Sequence, residues 1–377
     1  MSSVPAAPGW CQRICSRTGT GRPLSLGRDN CLSFWASFRR GSPDMSIPVL
    51  LADIGGTHAR LALFYPQSTL EAGGAAQLWC VEKLRCADFG RIQDVIRAYL
   101  MLPAVRQYAV PEKAVLAVAA PISQSKVRFT NSAWEFDTDE LAAELKLSVK
   151  ILNDFEAQAY ALAWIQHLPV RWLQIGAQSA YEGLRTTAGP GTGFGAASLS
   201  RGGEVISCEP GHVAFAPQNQ QQVRLLSQLW SWYPRVTVEH LVSGPGIANI
   251  YAALSTLGGQ PMTPREAPTP EAISEQLIDD KQSVDSTSIA VNTMSLFSSI
   301  LGAVCGDLAL AHGCRGAFLV SGQLIASLGR GFDERLFLEA FHDKAQYADW
   351  CRAIPVGLLQ SDWPGLEGCA AWCCLNR

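Results

Sequence analysis

Two glycine turns and one carboxylate set the chemical question of this chain. In "VLLADIGGTHARLALF", Val49 to Phe64, a run of strand formers ends at Asp53, crosses Gly55, Gly56 and Thr57, and returns at once to apolar alternation. A hairpin alone accounts for the glycines but not for the carboxylate. Open α/β sheets bind ligands at the carboxyl ends of their strands, so Asp53 stands where a ligand would lie. Glycines tolerate positive φ and let the backbone approach a charged group. Successive N–H groups there, with the Thr57 hydroxyl, form a concavity for a phosphate. The carboxylate then suits a hydrated Mg2+, which takes few protein oxygens and keeps much of its water. The second turn, "GPGTGFG" from Gly189 to Gly195, centres on Gly191, Thr192 and Gly193 and leads into the strand-like AASLS. A dinucleotide fingerprint would open a helix instead, so this reads as another phosphate turn. No GxxxxGK[ST] is present, which excludes a P-loop enzyme.

Between the turns lies "ILNDFEAQAYAL", Ile151 to Leu162, where a short buried strand ends at Asn153 and Asp154 heads a helix. On position alone Asp154 is an N-cap; the functional alternative is a general base facing a hydroxyl, with Asn153 as its neutral neighbour. Further on, "CEPGHVAFAP" sets Glu209 and His212 three residues apart, and "VEHLVSGPG" puts Glu239 before a turn-rich helix start. These groups offer acceptors and donors to a polyol, or simply a solvated surface. One Glu and one His at that spacing do not fill a tetrahedral metal site.

The elements that must position these residues alternate in type. Ile47–Asp53 and Ala59–Phe64 read as strands, 92–102 as a helix, 114–120 as a buried strand, and 149–152 as another. Asp137 with Glu140 resembles a reciprocally capped helix start. Later, 222–232, 244–257 and 291–312 read as helices, 317–320 as a buried strand, and 324–341 as mostly helix. Such alternation predicts an α/β fold with a largely parallel sheet, in two lobes each opened by a glycine-rich element.

Composition bounds the partners. The 377 residues exceed one ordinary core, and 48% apolar against 17% charged residues excludes global disorder. A net charge of −3 without a basic stripe argues against a nucleic-acid surface. The longest apolar runs, 114–122 and 295–306, fall short of the roughly 20 residues a membrane span needs. The twelve cysteines are scattered and contain no CxxC, which suits reduced thiols. The first 44 residues hold six Arg and two Asp, no Lys and no Glu. They read as a disordered extension or as a segment upstream of a start at Met45, with a transit peptide as the alternative.

In their order along the chain these motifs resemble the bacterial-type glucokinase family of the actin, hexokinase and Hsp70 ATPase superfamily. "ADIGGTHARLAL" and "GPGTGFGAA" are similar to its phosphate motifs, and "TNSAW" and "ILNDF" to its sugar-side segments. "EPGHVAFAP" and "EHLVSGPG" are similar to its sugar-binding loops, and "PGLEGCA" to its C-terminal turn. The likeness runs from Ile47 to about Ala371. It implies a two-lobed, actin-like (ribonuclease H-like) α/β fold with a central cleft: a small domain of 46–164 plus 361–377, a large one of 165–360, and an extension over 1–45. It also implies ATP-dependent phosphorylation of glucose at the 6-hydroxyl, at the entry to glycolysis, by a cytoplasmic homodimer. Asp154 would be the base, and Asn131, Asn153, Glu209, His212 and Glu239 the glucose contacts. Asp53, Gly55, Gly56, Thr57, Gly191, Thr192, Gly193 and Gly322 would hold ATP, with Asp53 binding Mg2+ through water. The chain departs from the pattern at Pro190, at Pro210 in place of the first glycine of EGGH, and at Gln323 in place of a glycine near the adenosine. Those departures motivate a rival, a sugar sensor that no longer turns over; a kinase for another hexose is the second alternative. The retained charged groups favour the enzyme.

Overall fold

The computed structural model describes residues 47–67, 76–120, 122–123, 126–129, 134–176, 181–277 and 288–376. The N-terminal extension and Asn131 therefore lie outside the described residues. In the first half the chain runs through β1 (Val49–Ile54), β2 (His58–Phe64), β3 (Leu78–Arg85), α1 (Ile92–Leu100) and β4 (Lys113–Val118). A short sheet of β5 (Ile122–Ser123), β6 (Lys126–Arg128) and β7 (Glu135–Asp137) precedes α2 (Thr138–Leu145), β8 (Ser148–Asn153) and α3 (Asp154–Ala161). The second half holds β9 (Val170–Gln174), β10 (Arg185–Pro190), β11 (Phe194–Leu199), β12 (Val205–Cys208), α4 (Gly244–Leu257) and α5 (Ile289–His312). It ends with β13 (Ala317–Val320), α6 (Gln323–Leu328), α7 (Glu334–His342), β14 (Val356–Leu359) and α8 (Pro364–Leu375).

The two large sheets repeat one topology. The first has the order β3-β2-β1-β4-β8; the second has β12-β11-β10-β13-β14, with β9 added at its edge. In each, a hairpin and a third strand pair antiparallel, and two further strands add in parallel. The expectation of a largely parallel sheet is corrected accordingly: both sheets are mixed. Both glycine turns are the connections of antiparallel hairpins, which the sequence separates by too many residues to show as a repeat. Strand β10 carries the β-branched pair Thr186 and Thr187 but only Ala188 and a terminal Pro190 as apolar residues, so its burial did not show in the sequence.

Alternation along β1 orients Asp53. Leu50, Ala52 and Ile54 enter the core cluster on the outer face of the first sheet, while Val49 and Leu51 enter a cluster lying between the sheets. With a period of two, Asp53 shares the face of Val49 and Leu51. That inner cluster also takes Ala157 and Tyr160 of α3 with Leu366, Cys369 and Ala370 of α8. Gly368 makes the helix crossing close, because a Cβ there would overlap the carbonyl of Ala157. "PGLEGCA" is thus a helix start with proline in its first turn, where its fixed φ fits and its missing N–H costs nothing, rather than a turn.

Expected and observed bounds mostly differ by one to three residues, and 244–257 and 317–320 coincide. The expected helix over 324–341 is broken at residues 329–333, where Gly329 has φ +50°. Helix α5 is long and apolar enough to cross a bilayer by length and composition, unlike the shorter run read from the sequence. Its apolar sides are occupied within the protein: Phe297, Ile300, Leu301 and Cys305 are buried in the core behind the second sheet, where α7 packs along it.

Candidate active site

Both sheets contribute to a cleft of about 960 Å3. Its lining takes Asp53, Gly55, Gly56 and Thr57 from the first hairpin and Gly191, Thr192 and Gly193 from the second. Asn153, Asp154, Glu209, His212, Glu239 and Gly322 line it too. Every site residue expected from the sequence, apart from Asn131, is therefore gathered there.

The head of α3 resolves the ambiguity over Asp154. The N-cap is Asn153: its Oδ1 accepts from the Phe155 N–H at 2.9 Å and the Glu156 N–H at 3.3 Å, while Glu156 Oε2 accepts from the Asn153 N–H at 3.2 Å. This reciprocal box displaces Asp154 from the capping role that position alone favoured. Asp154 becomes the first helical residue, with one oxygen accepting from the Phe155 N–H at 2.9 Å. With the Asn153 oxygen committed to the cap, its amide NH2 is what it can offer a ligand. Burial pushes the Asp154 carboxyl up to about 7, with Asp53 and Glu209 adding repulsion and the Phe155 N–H pulling the other way. Phe155 anchors the helix start, for its ring fills the space a side chain at Gly195 would need.

Asp53 is held differently. Arg60, its register partner on β2, places Nη1 3.2 Å from Asp53 Oδ2, with both side chains 16% exposed. Burial pushes the Asp53 carboxyl up, and the Arg60 guanidinium pulls it part of the way back. Gly365 gives Asp53 room, since a Cβ there would come 2.6 Å from Asp53 Cγ. The expected use of positive φ is not observed: Gly55, Gly56, Gly191 and Gly193 all avoid it. Their lack of side chains serves space instead. A Cβ on Gly191 would meet nothing within 4 Å, so the turn leaves open room at the cleft, whereas one on Gly193 would sit 2.8 Å from Glu239 Oε2. Gly322 is the position that requires glycine by conformation, at φ +115°.

On the opposite side Glu239 approaches His212, with Oε1 3.4 Å from Nδ1. A network that the sequence did not reveal fixes it. His240 Nδ1 accepts from the Thr237 N–H at 3.0 Å, Asn249 Nδ2 donates to the His240 carbonyl at 2.8 Å, and Ser243 Oγ donates to the Glu239 carbonyl at 2.6 Å. Burial lowers the His240 pKa, in keeping with an Nδ1 that accepts.

The departures are accommodated. Pro210 opens the 3-10 turn Pro210–His212, where its fixed φ suits the first position and an N–H has no partner to lose. The residue that must stay small is Gly211, whose Cβ would meet the Phe194 carbonyl at 2.5 Å. Pro190 ends β10 beyond the stretch Arg185–Ala188 that pairs with β13, so it withholds no parallel ladder bond. Gln323 is exposed at the cleft.

Sequence reasoning missed Arg60, Gln158 and Ser321, all of which line the cleft. Parity would have found Arg60, which lies opposite Asp53, and i+4 spacing would have found Gln158, one turn beyond Asp154. The lining guanidiniums, Arg60 and Arg171, face five carboxylates, Asp53, Asp154, Glu209, Glu239 and Asp362. Among the described residues no cluster of three or more His, Cys, Asp or Glu could hold a metal ion.

Two sheets of one topology, each sending a glycine hairpin into a shared cleft, make the two-lobed actin-like kinase fold. A profile of the glucokinase family matches residues 50–375. A curated glucokinase of Chromohalobacter salexigens is 34% identical over 331 residues, covering 86% of this chain and 97% of its own. The crystal structure of a glucokinase from an Antarctic psychrotroph superposes with a TM-score of 0.76 at 32% identity, over 88% of this chain and 100% of that one. A Balamuthia mandrillaris glucokinase solved in complex with glucose gives 0.68 at 20% identity, over 91% and 98%, a likeness of fold. The chain belongs to the glucokinase family, whose activity is ATP-dependent phosphorylation of glucose.

Proposed function

We propose that Asp154 takes the proton of the glucose 6-hydroxyl while the γ-phosphoryl group of ATP is transferred to that oxygen. The observation that carries this reading is the placement of the Asp154 carboxyl at the head of α3, in a cleft lined by both glycine hairpins; burial there pushes it up to about 7. A base with a pKa near neutrality matches the proton it must accept during turnover. Phosphoryl transfer asks little else of a protein than positioning and charge stabilisation.

The remaining roles follow from chemistry and place. Glu209 and Glu239 accept hydrogen bonds from sugar hydroxyls, and the Asn153 amide and the His212 imidazole complete the polar set. Asn131 rests on its motif alone. The hairpins at Gly55–Thr57 and Gly191–Gly193 cradle phosphates, Gly322 borders the nucleotide, and Arg60 and Arg171 supply cationic charge. Mg2+, when bound, neutralises phosphate oxygens, and Asp53 would hold it through water. Closure of the lobes, 46–164 with 361–377 against 165–360, would keep water from competing as acceptor. The family likeness supports a cytoplasmic homodimer.

The test is a coupled assay of ADP release over a panel of hexoses and phosphate donors. Release that depends on glucose and ATP above the other pairs is expected; sugar binding without hexose-dependent ADP release would overturn the proposal in favour of a sensor.

A further inference from the structure

Helix α3 is anchored at a second point, one turn beyond Asp154. Gln158 lies at i+4 from Asp154, hence on the same helix face, and lines the cleft. Its Oε1 accepts from Ser321 Oγ at 2.7 Å. Ser321, 2% exposed, immediately precedes Gly322 and belongs to the second sheet's side of the cleft. Its N–H donates to the Ala188 carbonyl at 2.8 Å, and its Oγ accepts from Thr187 Oγ1 at 3.3 Å. Gly189 closes on it as well, since a Cβ there would overlap the Ser321 carbonyl. Ser321 is thus fixed to β10, the strand that carries the turn Gly191–Gly193.

We infer that Gln158 is a positioning residue: through Ser321 it sets the orientation of Asp154 relative to the second phosphate turn and Gly322. The inference rests on the reading of Asp154 as the base. The chain Thr187–Ser321–Gln158 links the floor of the nucleotide side to the helix that presents the carboxylate. Phe155 against Gly195 fixes the start of that helix, and Gln158 fixes its rotation one turn later. Without that bond α3 keeps its packing against α8 but loses its tie to β10, so the carboxylate can shift relative to a phosphate held by that strand. The sugar contacts Glu209, His212 and Glu239 lie on other segments and stay in place, and Asn153 is held by its reciprocal box with Glu156.

Gln158→Met keeps the volume and removes the acceptor, and Ser321→Ala removes the donor. Each is expected to lower kcat about 10- to 100-fold, the scale of a small misplacement of a reacting group, while KM for glucose stays within about twofold. Their double variant is expected to be no worse than the poorer single one, because both break the same bond. Gln158→Glu, which keeps an acceptor at the same reach, should recover most of the loss when assayed well above pH 7, where the added carboxylate no longer holds Asp154 protonated. A kcat within about twofold of the parent in both single variants, multiplicative losses in the double, or no recovery with Gln158→Glu would overturn the inference. Asp154→Asn is measured alongside: full activity there would instead sink the assignment of the base.

Discussion

Asp154 carries two consequences that can be measured at the scale of one residue. Asp154→Ala should reduce kcat by at least about 1,000-fold, in the range lost when a positioned acid or base is removed. Glucose binding, followed by intrinsic tryptophan fluorescence or calorimetry, should persist, because Glu209, His212 and Glu239 sit on other segments and the Asn153 side chain stays held by the Phe155 and Glu156 N–H groups. The second concerns pH. The carboxyl is raised from 3.8 to about 7, and a base works only when deprotonated. Activity should therefore be low on the acid side, rise through pH about 7 and level off above it, with kcat/KM reporting the free enzyme. Glu209 contributes repulsion that favours the protonated form, so Glu209→Gln should move the midpoint to lower pH. A profile rising near pH 4 instead would mean that Asp154 is not the titrating base.

At the scale of elements, close backbone approaches hold the site together. Ala157 of α3 and Gly368 of α8 meet with no room for a Cβ. Gly368→Ala should cost about 1–3 kcal/mol, the usual penalty of overpacking a closely fitted contact, read from the urea midpoint. Pro210 behaves oppositely. It sits at a first-turn position that tolerates it, so Pro210→Gly should leave kcat and KM nearly unchanged. It should lower stability by about 0.4–1 kcal/mol through a freer unfolded chain. A large rise in the KM for glucose would show that the proline distorts the sugar loop.

For the whole molecule, the cleft draws on segments from Asp53 to Pro364, and the family profile spans residues 50–375. A variant beginning at Met45 should then keep kcat within about twofold of the full chain, since the lining residues and the profile match all come after it. Steady-state assay of the two chains side by side checks this, and a pronounced loss would assign the first 44 residues a part in the site.

The chemistry of the site was legible in the sequence because its motifs are local: a carboxylate beside a glycine turn, a polar pair at a strand–helix junction, a carboxylate near a histidine. Strand and helix periods likewise gave most elements of both halves. The pairing of those elements was not legible. Hydrogen bonds between strands far apart in the chain leave no mark on either strand alone, so the mixed sheets, the repeated topology and β10 emerged only from the fold. The same holds for Asn153 taking the cap from Asp154, Arg60 facing Asp53, and Ser321 reaching Gln158. Residue types determined which groups were available for phosphoryl transfer; tertiary structure decided which were buried together, and burial beside like charge is what brings the Asp154 carboxyl near neutrality.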